Sequence, residues 1–372
     1  MAEEISLYIH LPFCRLKCPY CSFFVLPYSV EAEKMLEEAL LQHLKILNPQ
    51  FANKQLVSVY FGGGTPSIVS LESLERIVTA IKRLDVTFDP GCEWTLEANP
   101  EDIDEARARR YQEIGFNRVS LGVQSFVDEE LVFLGRNVQK NRSIQAIDAF
   151  VKAGITNISI DLIFELMDQT IENFTKTLNV VQKLPITHLS LYDLVIEEGS
   201  AFYKKKKTLE ARRPESAVGL EMLEKACEKL AEFGFDRYDI SAFSKGAYRS
   251  RHNIGYWTAR PFWGIGPSAW SFIDGARHQC LKNLKKYHEN LFSNQSPFIF
   301  SEKLDPLSLQ KEQVGLALRL KEGVQKTTIC FEEINTTLKQ LVFKDLVNES
   351  TDSFTLTPSG RTFYDSVQIE LA

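Results

Sequence analysis

The chain has 372 residues, long enough to bury a large core and to form one or two domains. Its 44% apolar and 25% charged residues are ordinary for a soluble globular protein, and no apolar run approaches the ~20 residues of a membrane span. A net charge of −6 gives no electrostatic footprint for nucleic acid, and the opening Met-Ala-Glu-Glu lacks the basic and apolar regions of a signal peptide.

Short β-rich runs then alternate with amphipathic helical stretches. Strands are expected over Ile5–Leu11, Leu56–Phe61, Glu93–Ala98, Arg118–Val123, Asn157–Phe164 and His188–Val195. Helical spacing marks Val30–Ile46, Leu71–Leu84, Ile103–Ile114, Ile144–Ala153 and Ile171–Leu184. Six βα units without hairpin signals predict an α/β fold with a parallel sheet, either doubly wound or a partial (β/α)6 barrel. The lysine run Lys204–Lys207 reads as a solvated loop. A helix over Glu215–Phe233 leads to a strand over Asp236–Ile240 and an aromatic, glycine-bearing segment, Tyr256–Phe272. From about Ser301 the βαβ rhythm stops. Helices over Leu309–Leu320 and Phe331–Lys339, the alternating Phe354–Thr357 and a closing helix predict a small C-terminal winged-helix-like α+β module. The expected organisation is residues 1–235, a 236–300 extension, and 301–372.

Seven cysteines is an odd number, and three of them, Cys14, Cys18 and Cys21, crowd into eight positions just past the first strand. That pattern disfavours disulfides and favours a metal or cluster site in a reducing, cytoplasmic setting. Thiolates are soft ligands that suit zinc or iron–sulfur clusters. Zinc would need a fourth ligand, for which His10 and Cys92 are candidates. A [4Fe–4S] cube held by three cysteines instead leaves one iron open to a substrate.

Gly62-Gly63-Gly64-Thr65-Pro66-Ser67 follows the second strand. It allows close backbone approach, but no Gly-Lys-Ser/Thr follows, so it is not a Walker loop. Cys-x3-Cys-x2-Cys followed by this glycine motif resembles the radical SAM superfamily. Within it, the chain is similar to the branch holding oxygen-independent coproporphyrinogen dehydrogenase and the HemW-type heme chaperones. The resemblance implies a radical SAM barrel with its site at the C-terminal strand ends. Its cofactors would be a [4Fe–4S] cluster on Cys14, Cys18 and Cys21, S-adenosyl-L-methionine (SAM) and heme. Carried over residue by residue, the SAM contacts are Tyr8, Tyr20, Gly63, Gly64, Thr65, Glu97, Gln124, Arg136 and Asp161. Three places depart from the family pattern. Glu165-Leu-Met-Asp168 replaces a Gly-Leu-Pro-Gly turn, so the fifth βα loop is expected to differ in shape. Trp270 stands where histidine is common, and Asp193 where glutamine often follows the tyrosine.

Two functions compete. The first is oxidative decarboxylation of coproporphyrinogen III; the second is a heme chaperone delivering heme to acceptor proteins, with membrane respiratory enzymes as candidate acceptors. Only four residues precede the first strand, Phe23 stands where the dehydrogenase has a further cysteine, and Arg251-His252-Asn253-Ile254-Gly255-Tyr256-Trp257 matches the HemW-type His-Asn-x-x-Tyr-Trp motif. These favour the chaperone, with His252 as the candidate heme contact. The alternative for His252 is a hydrogen-bonded residue that pins its loop to the barrel. Nucleic acid is not an expected partner, and homodimer formation stays open.

Overall fold

The computed structural model of the chain describes residues 2–136 and 139–371. Six strands lie side by side in chain order, each parallel to the last: β1 (Glu3–Leu11), β2 (Lys54–Gly63), β3 (Thr87–Ala98), β4 (Arg118–Gln124), β5 (Asn157–Phe164) and β6 (His188–Asp193). Between them run α1 (Val30–Leu47), α2 (Leu71–Lys82), α3 (Glu105–Ile114), α4 (Lys140–Lys152) and α5 (Ile171–Val181). Four of these helices begin where a short polar side chain accepts a first-turn amide that would otherwise lack a partner. Ser29, Ser70, Asp104 and Thr170 cap α1, α2, α3 and α5.

A doubly wound sheet reverses its strand order at a switch point, whereas this one runs 1-2-3-4-5-6 without reversal. The winding is therefore that of a barrel, which periodicity alone did not select. Among the described residues β1 and β6 do not pair with each other. After α6 (Ser216–Glu232), a short hairpin of β7 (Asp236–Arg237) and β8 (Ala242–Ser244) adds antiparallel to β6. On the other side, past α7 (Arg251–Trp257), β9 (Phe262–Ile265) pairs parallel with β1. It continues antiparallel through β10 (Trp270–Ile273), β11 (Ala276–Cys280) and, after α8 (Leu284–Phe292), β12 (Phe298–Lys303).

Helices α9 (Pro306–Leu318), α10 (Glu332–Phe343) and α11 (Tyr364–Leu371) enclose a separate apolar core around Leu318, Leu338, Phe354 and Val367. They pack with a three-stranded antiparallel sheet of β13 (Val324–Gln325), β14 (Val347–Glu349) and β15 (Ser353–Leu356), with β15 central. Two expectations differ. Asp236–Ile240 is not one strand, because the Tyr238 amide turns back to the Ala242 carbonyl at 3.1 Å. Lys204–Lys207 is not a loop: it falls in helical turns, Tyr203–Lys205 and Lys206–Glu210. No helix among the described residues is long and apolar enough to cross a membrane.

Candidate functional site

Just past β1, Phe13–Cys14 pairs with Leu26–Pro27 and closes the intervening residues into a loop. The loop carries Cys14, Cys18 and Cys21, all free and half-buried. The Cys21 amide donates to the Cys18 carbonyl at 3.1 Å, forming a turn between the last two. Burial pushes the Cys14 and Cys21 thiols up, neighbouring thiols add to that, and Arg136 opposes it. Among the described residues no three His, Cys, Asp or Glu side chains converge on one point as a single bound ion requires.

The glycine loop is fastened to this cysteine loop. The Gly64 amide donates to the Leu11 carbonyl at 2.9 Å and the Thr65 amide to the Phe13 carbonyl at 2.7 Å, while Thr65 Oγ1 lies 3.4 Å from Cys14 Sγ. A Cβ on Gly64 would lie 2.5 Å from the Phe13 oxygen. Gly63 sits at φ +114°, where a Cβ would meet the His10 ring at 2.6 Å. The glycines therefore serve contact between two backbone loops, a role that a reading in terms of ligand approach overlooks. The amides of Gly63, Gly64 and Thr65 all have protein acceptors, so an ammonium arriving here would be met by carbonyls.

Arg136 reaches the thiols across β4. Gly122 makes the room, since a Cβ there would lie 3.2 Å from Arg136 Nη2 and 3.0 Å from Gln124 Nε2. Gln124 itself is buried, at φ +70°. Arg136 Nη1 donates to Asn99 Oδ1 at 2.7 Å, and its Nε has no protein partner. Burial would lower the guanidinium pKa, but Tyr20, Cys18 and Glu101 hold it up. Tyr20 is raised by burial, with Arg136 opposing that and Cys18 adding to it.

Deeper in the barrel, Glu97 accepts from Tyr60 Oη at 2.7 Å and from the Gly63 amide at 3.2 Å. Burial, with Asp161 adding, pushes its carboxyl up to about 7. Asp161 is also raised by burial and accepts from Ser120 at 3.3 Å. Arg118, 2% exposed, is the buried counter-charge. Tyr8 Oη contacts His10 Nδ1 at 3.1 Å, and burial pulls His10 down to about 4.

Of the residues named from the sequence, the structure links Cys14 to Thr65 and Gly63 to Glu97, and sets Gln124 beside Arg136, while Asp161 lies mid-strand against Ser120. His252 meets only Tyr8 of them, with ring centroids 6.3 Å apart. It lies beneath Tyr60, with Nδ1 2.9 Å from Ser58 Oγ and Nε2 2.8 Å from Tyr256 Oη. The sequence reading missed Ser58, Tyr60, Glu93 and Asn99. Strand alternation was the available signal, because Ser58, Tyr60 and Gly62 share one face of β2, as Glu93 and Glu97 do on β3. Trp270 lies in register with Gln279 and Phe300, its ring 5.5 Å from Phe300 and both roughly 40% exposed. Alternation through Phe272, Phe262 and Ser6 puts that pair on the face that carries Tyr8.

The donor set fits a cluster. The Cys14 and Cys21 thiols are held up by burial and by neighbouring thiols, which bound iron, taking the thiolate, would reverse. The unpartnered Arg136 Nε beside them suits an anionic ligand group.

Residues 8–181 match the radical SAM superfamily model. The heme chaperone HemW of Synechocystis is 33% identical over 92% of this chain and 84% of its own length. That of Bacillus subtilis is 29% identical over 97% of each chain. The structure of coproporphyrinogen III oxidase (HemN) from Escherichia coli, a radical SAM enzyme, superposes with a TM-score of 0.86 over all of this chain and 90% of its own; at 22% identity this establishes the shared fold. The chain belongs to the radical SAM superfamily and, within it, to the HemW family.

Proposed function

We propose that this protein is a cytoplasmic heme chaperone that binds a [4Fe–4S] cluster, SAM and heme, and passes heme to acceptor proteins. The observation that carries the reading is the fastening of the three-thiol loop to Gly63–Thr65, with Glu97 accepting from the Gly63 amide and the Arg136 charge acting on Cys14. In this reading residues 1–235 form the barrel, 236–300 its extension and 301–372 the terminal module.

Each side chain then has a task. Cys14, Cys18 and Cys21 would hold three irons, and the cluster, when bound, offers an open iron to the amino-acid end of SAM. Arg136 sets a fixed positive charge beside the thiols, suited to a carboxylate. Glu97 and Asp161 offer carboxylates within the barrel. The exposed Trp270–Phe300 pair, edge to face on the side continuous with Tyr8, offers an apolar aromatic contact for a macrocycle.

The competing activity is decarboxylation of coproporphyrinogen III. It requires the propionate held beside a reacting carbon, where small displacements lower the rate steeply. A carrier needs only reversible binding. Phe23, 67% exposed on the cysteine loop, stands where the dehydrogenase has a cysteine, and the named HemW relatives are heme chaperones. Anaerobic reconstitution followed by iron, sulfide and heme titration tests this reading. A cluster and a Soret band are expected, without conversion of coproporphyrinogen III in the presence of SAM and reductant. Reproducible formation of protoporphyrinogen IX would reverse the assignment.

A further inference from the structure

The His-Asn-x-x-Tyr-Trp segment is helix α7, and it seals the barrel at the end opposite the thiols. Its contacts fall on Ser58 and Glu93, two residues before Tyr60 and four before Glu97 on their strands. The Glu93 carboxylate holds the start of the helix, taking the Arg251 amide at 2.9 Å and the His252 amide at 3.1 Å. Trp257 fixes the other end, donating from Nε1 to Asp239 at 2.8 Å under the Arg319 guanidinium, 4.1 Å from its ring.

Inside this frame His252 is 1% exposed and both its ring nitrogens are taken, by Ser58 and Tyr256. Neutral imidazole has one donor and one acceptor, and two hydroxyls satisfy both. Burial pulls the ring down to about 3, so it stays neutral at physiological pH. The ring stacks on Tyr60 with centroids 4.8 Å apart and planes 28° apart. Tyr60 in turn donates to Glu97, which also holds the Gly63 amide. A contact chain thus runs from the barrel floor to the glycine loop. Ligating heme iron would require His252 to break a side-chain bond, leave the stack and pull against the Glu93 cap.

We propose that His252 is a positioning residue, which seats Tyr60 and through it the Glu97–Gly63 contact, and is not an axial ligand to heme. The consequence for SAM rests on the SAM site proposed above; the effect on Glu97 does not.

The test therefore has two arms. In the cluster-free full chain, the Glu97 carboxyl is titrated by carbon-13 NMR. Tyr60→Phe should raise its pKa, because it removes a donor to the ionised form. In a His252→Ala background the same substitution should have a clearly smaller effect, since Tyr60 is no longer seated. Equal shifts in both backgrounds would overturn the proposal. In the reconstituted chain, Ser58→Ala and Tyr256→Phe, which leave the barrel packing in place, should each weaken SAM binding up to about fivefold, the worth of one net hydrogen bond. Heme-loaded His252→Ala should keep the parent's Soret position. Loss of an axial-ligand band in His252→Ala, with Glu97 coupling absent, would assign the residue to heme instead. If the parent shows the Glu97 coupling but no SAM binding, the SAM-site reading falls and the positioning role stands.

Discussion

Between about pH 6 and about pH 8, SAM binding should tighten about tenfold, because Glu97 titrates near 7 in the ligand-free protein. The shift comes first from burial and next from Asp161, with Tyr60 and the Gly63 amide pulling the other way. A carboxyl raised in the folded state keeps its proton below that pKa, and the sulfonium cation of SAM is attracted only after the proton leaves. Each unit below about 7 therefore weakens binding by up to about tenfold, and above it the profile flattens. The same shift acts on stability. The unfolded carboxyl ionises near its ordinary 4.5, so between about 4.5 and 7 the folded chain holds the extra proton and its stability falls as pH rises. Asp161, also raised by burial, acts in the same direction. Calorimetric titration of the reconstituted protein, in two buffers of different ionisation enthalpy, reads both the affinity and the proton released. Glu97→Gln should flatten the profile and weaken binding most at the alkaline end. A flat profile in the parent, or an unchanged slope in Glu97→Gln, would refute the reasoning.

Replacing Cys14, Cys18 or Cys21 with Ala should abolish the cluster absorbance after anaerobic reconstitution, while replacing Cys92, Cys227, Cys280 or Cys330 should leave it; stoichiometric zinc without a cluster would contradict this. Gly64→Ala should destabilise the chain by about 1–3 kcal/mol in chemical denaturation, because its Cβ meets backbone that has little room to yield, and should lower cluster occupancy. Trp270→Ala should reduce heme affinity several-fold in spectroscopic titration while sparing the cluster; unchanged affinity would remove the aromatic pair from the heme reading.

Much of the fold was legible because each βα unit buries its own amphipathic helix, so periodicity reported it locally. The choice between barrel and doubly wound sheet was not legible in the periodicity, and only the family resemblance pointed to the barrel. It depends on which strands pair, and the apolar run of β2 looks the same in either winding. The parallel pairing of β9 with β1 was hidden for a related reason, since Phe262–Ile265 is four residues long and its partner is more than 250 positions away. At the site, Cys14, Cys18 and Cys21 declared themselves through spacing. Asn99 did not, because its work is to hold Arg136, and Gly122 passed as an ordinary strand residue although Arg136 needs the space above it. The motif around His252 was visible, but its burial beneath Tyr60 was not.

The loop after β5 holds two side chains at backbone positions that favour glycine. Glu165 and Asp168 stand where the family pattern has glycines, and both adopt left-handed backbone, at φ +55° and +59°. Glycine takes that conformation freely, whereas a side chain is strained by roughly 1 kcal/mol or more. The strain is offset by side-chain contacts that glycine lacks: Glu165 pairs with Arg213 at 3.2 Å, and Asp168 accepts from Arg212 Nε at 2.9 Å. Room for the longer side chain comes from α6, where a Cβ on Gly219 would lie 1.7 Å from the Glu165 carboxylate. Arg213 also donates to the Leu194 carbonyl, and the Phe202 amide to the Pro19 carbonyl at 2.8 Å, so the segment from Leu194 to Arg213 is bound at one end to this loop and at its middle to the cysteine loop. Two acidic residues in place of two glycines thus fasten the fifth βα loop to the strap that is bonded to the cysteine loop. A substitution that looks like lost flexibility at one position is, across the three elements, an added tie beside the site.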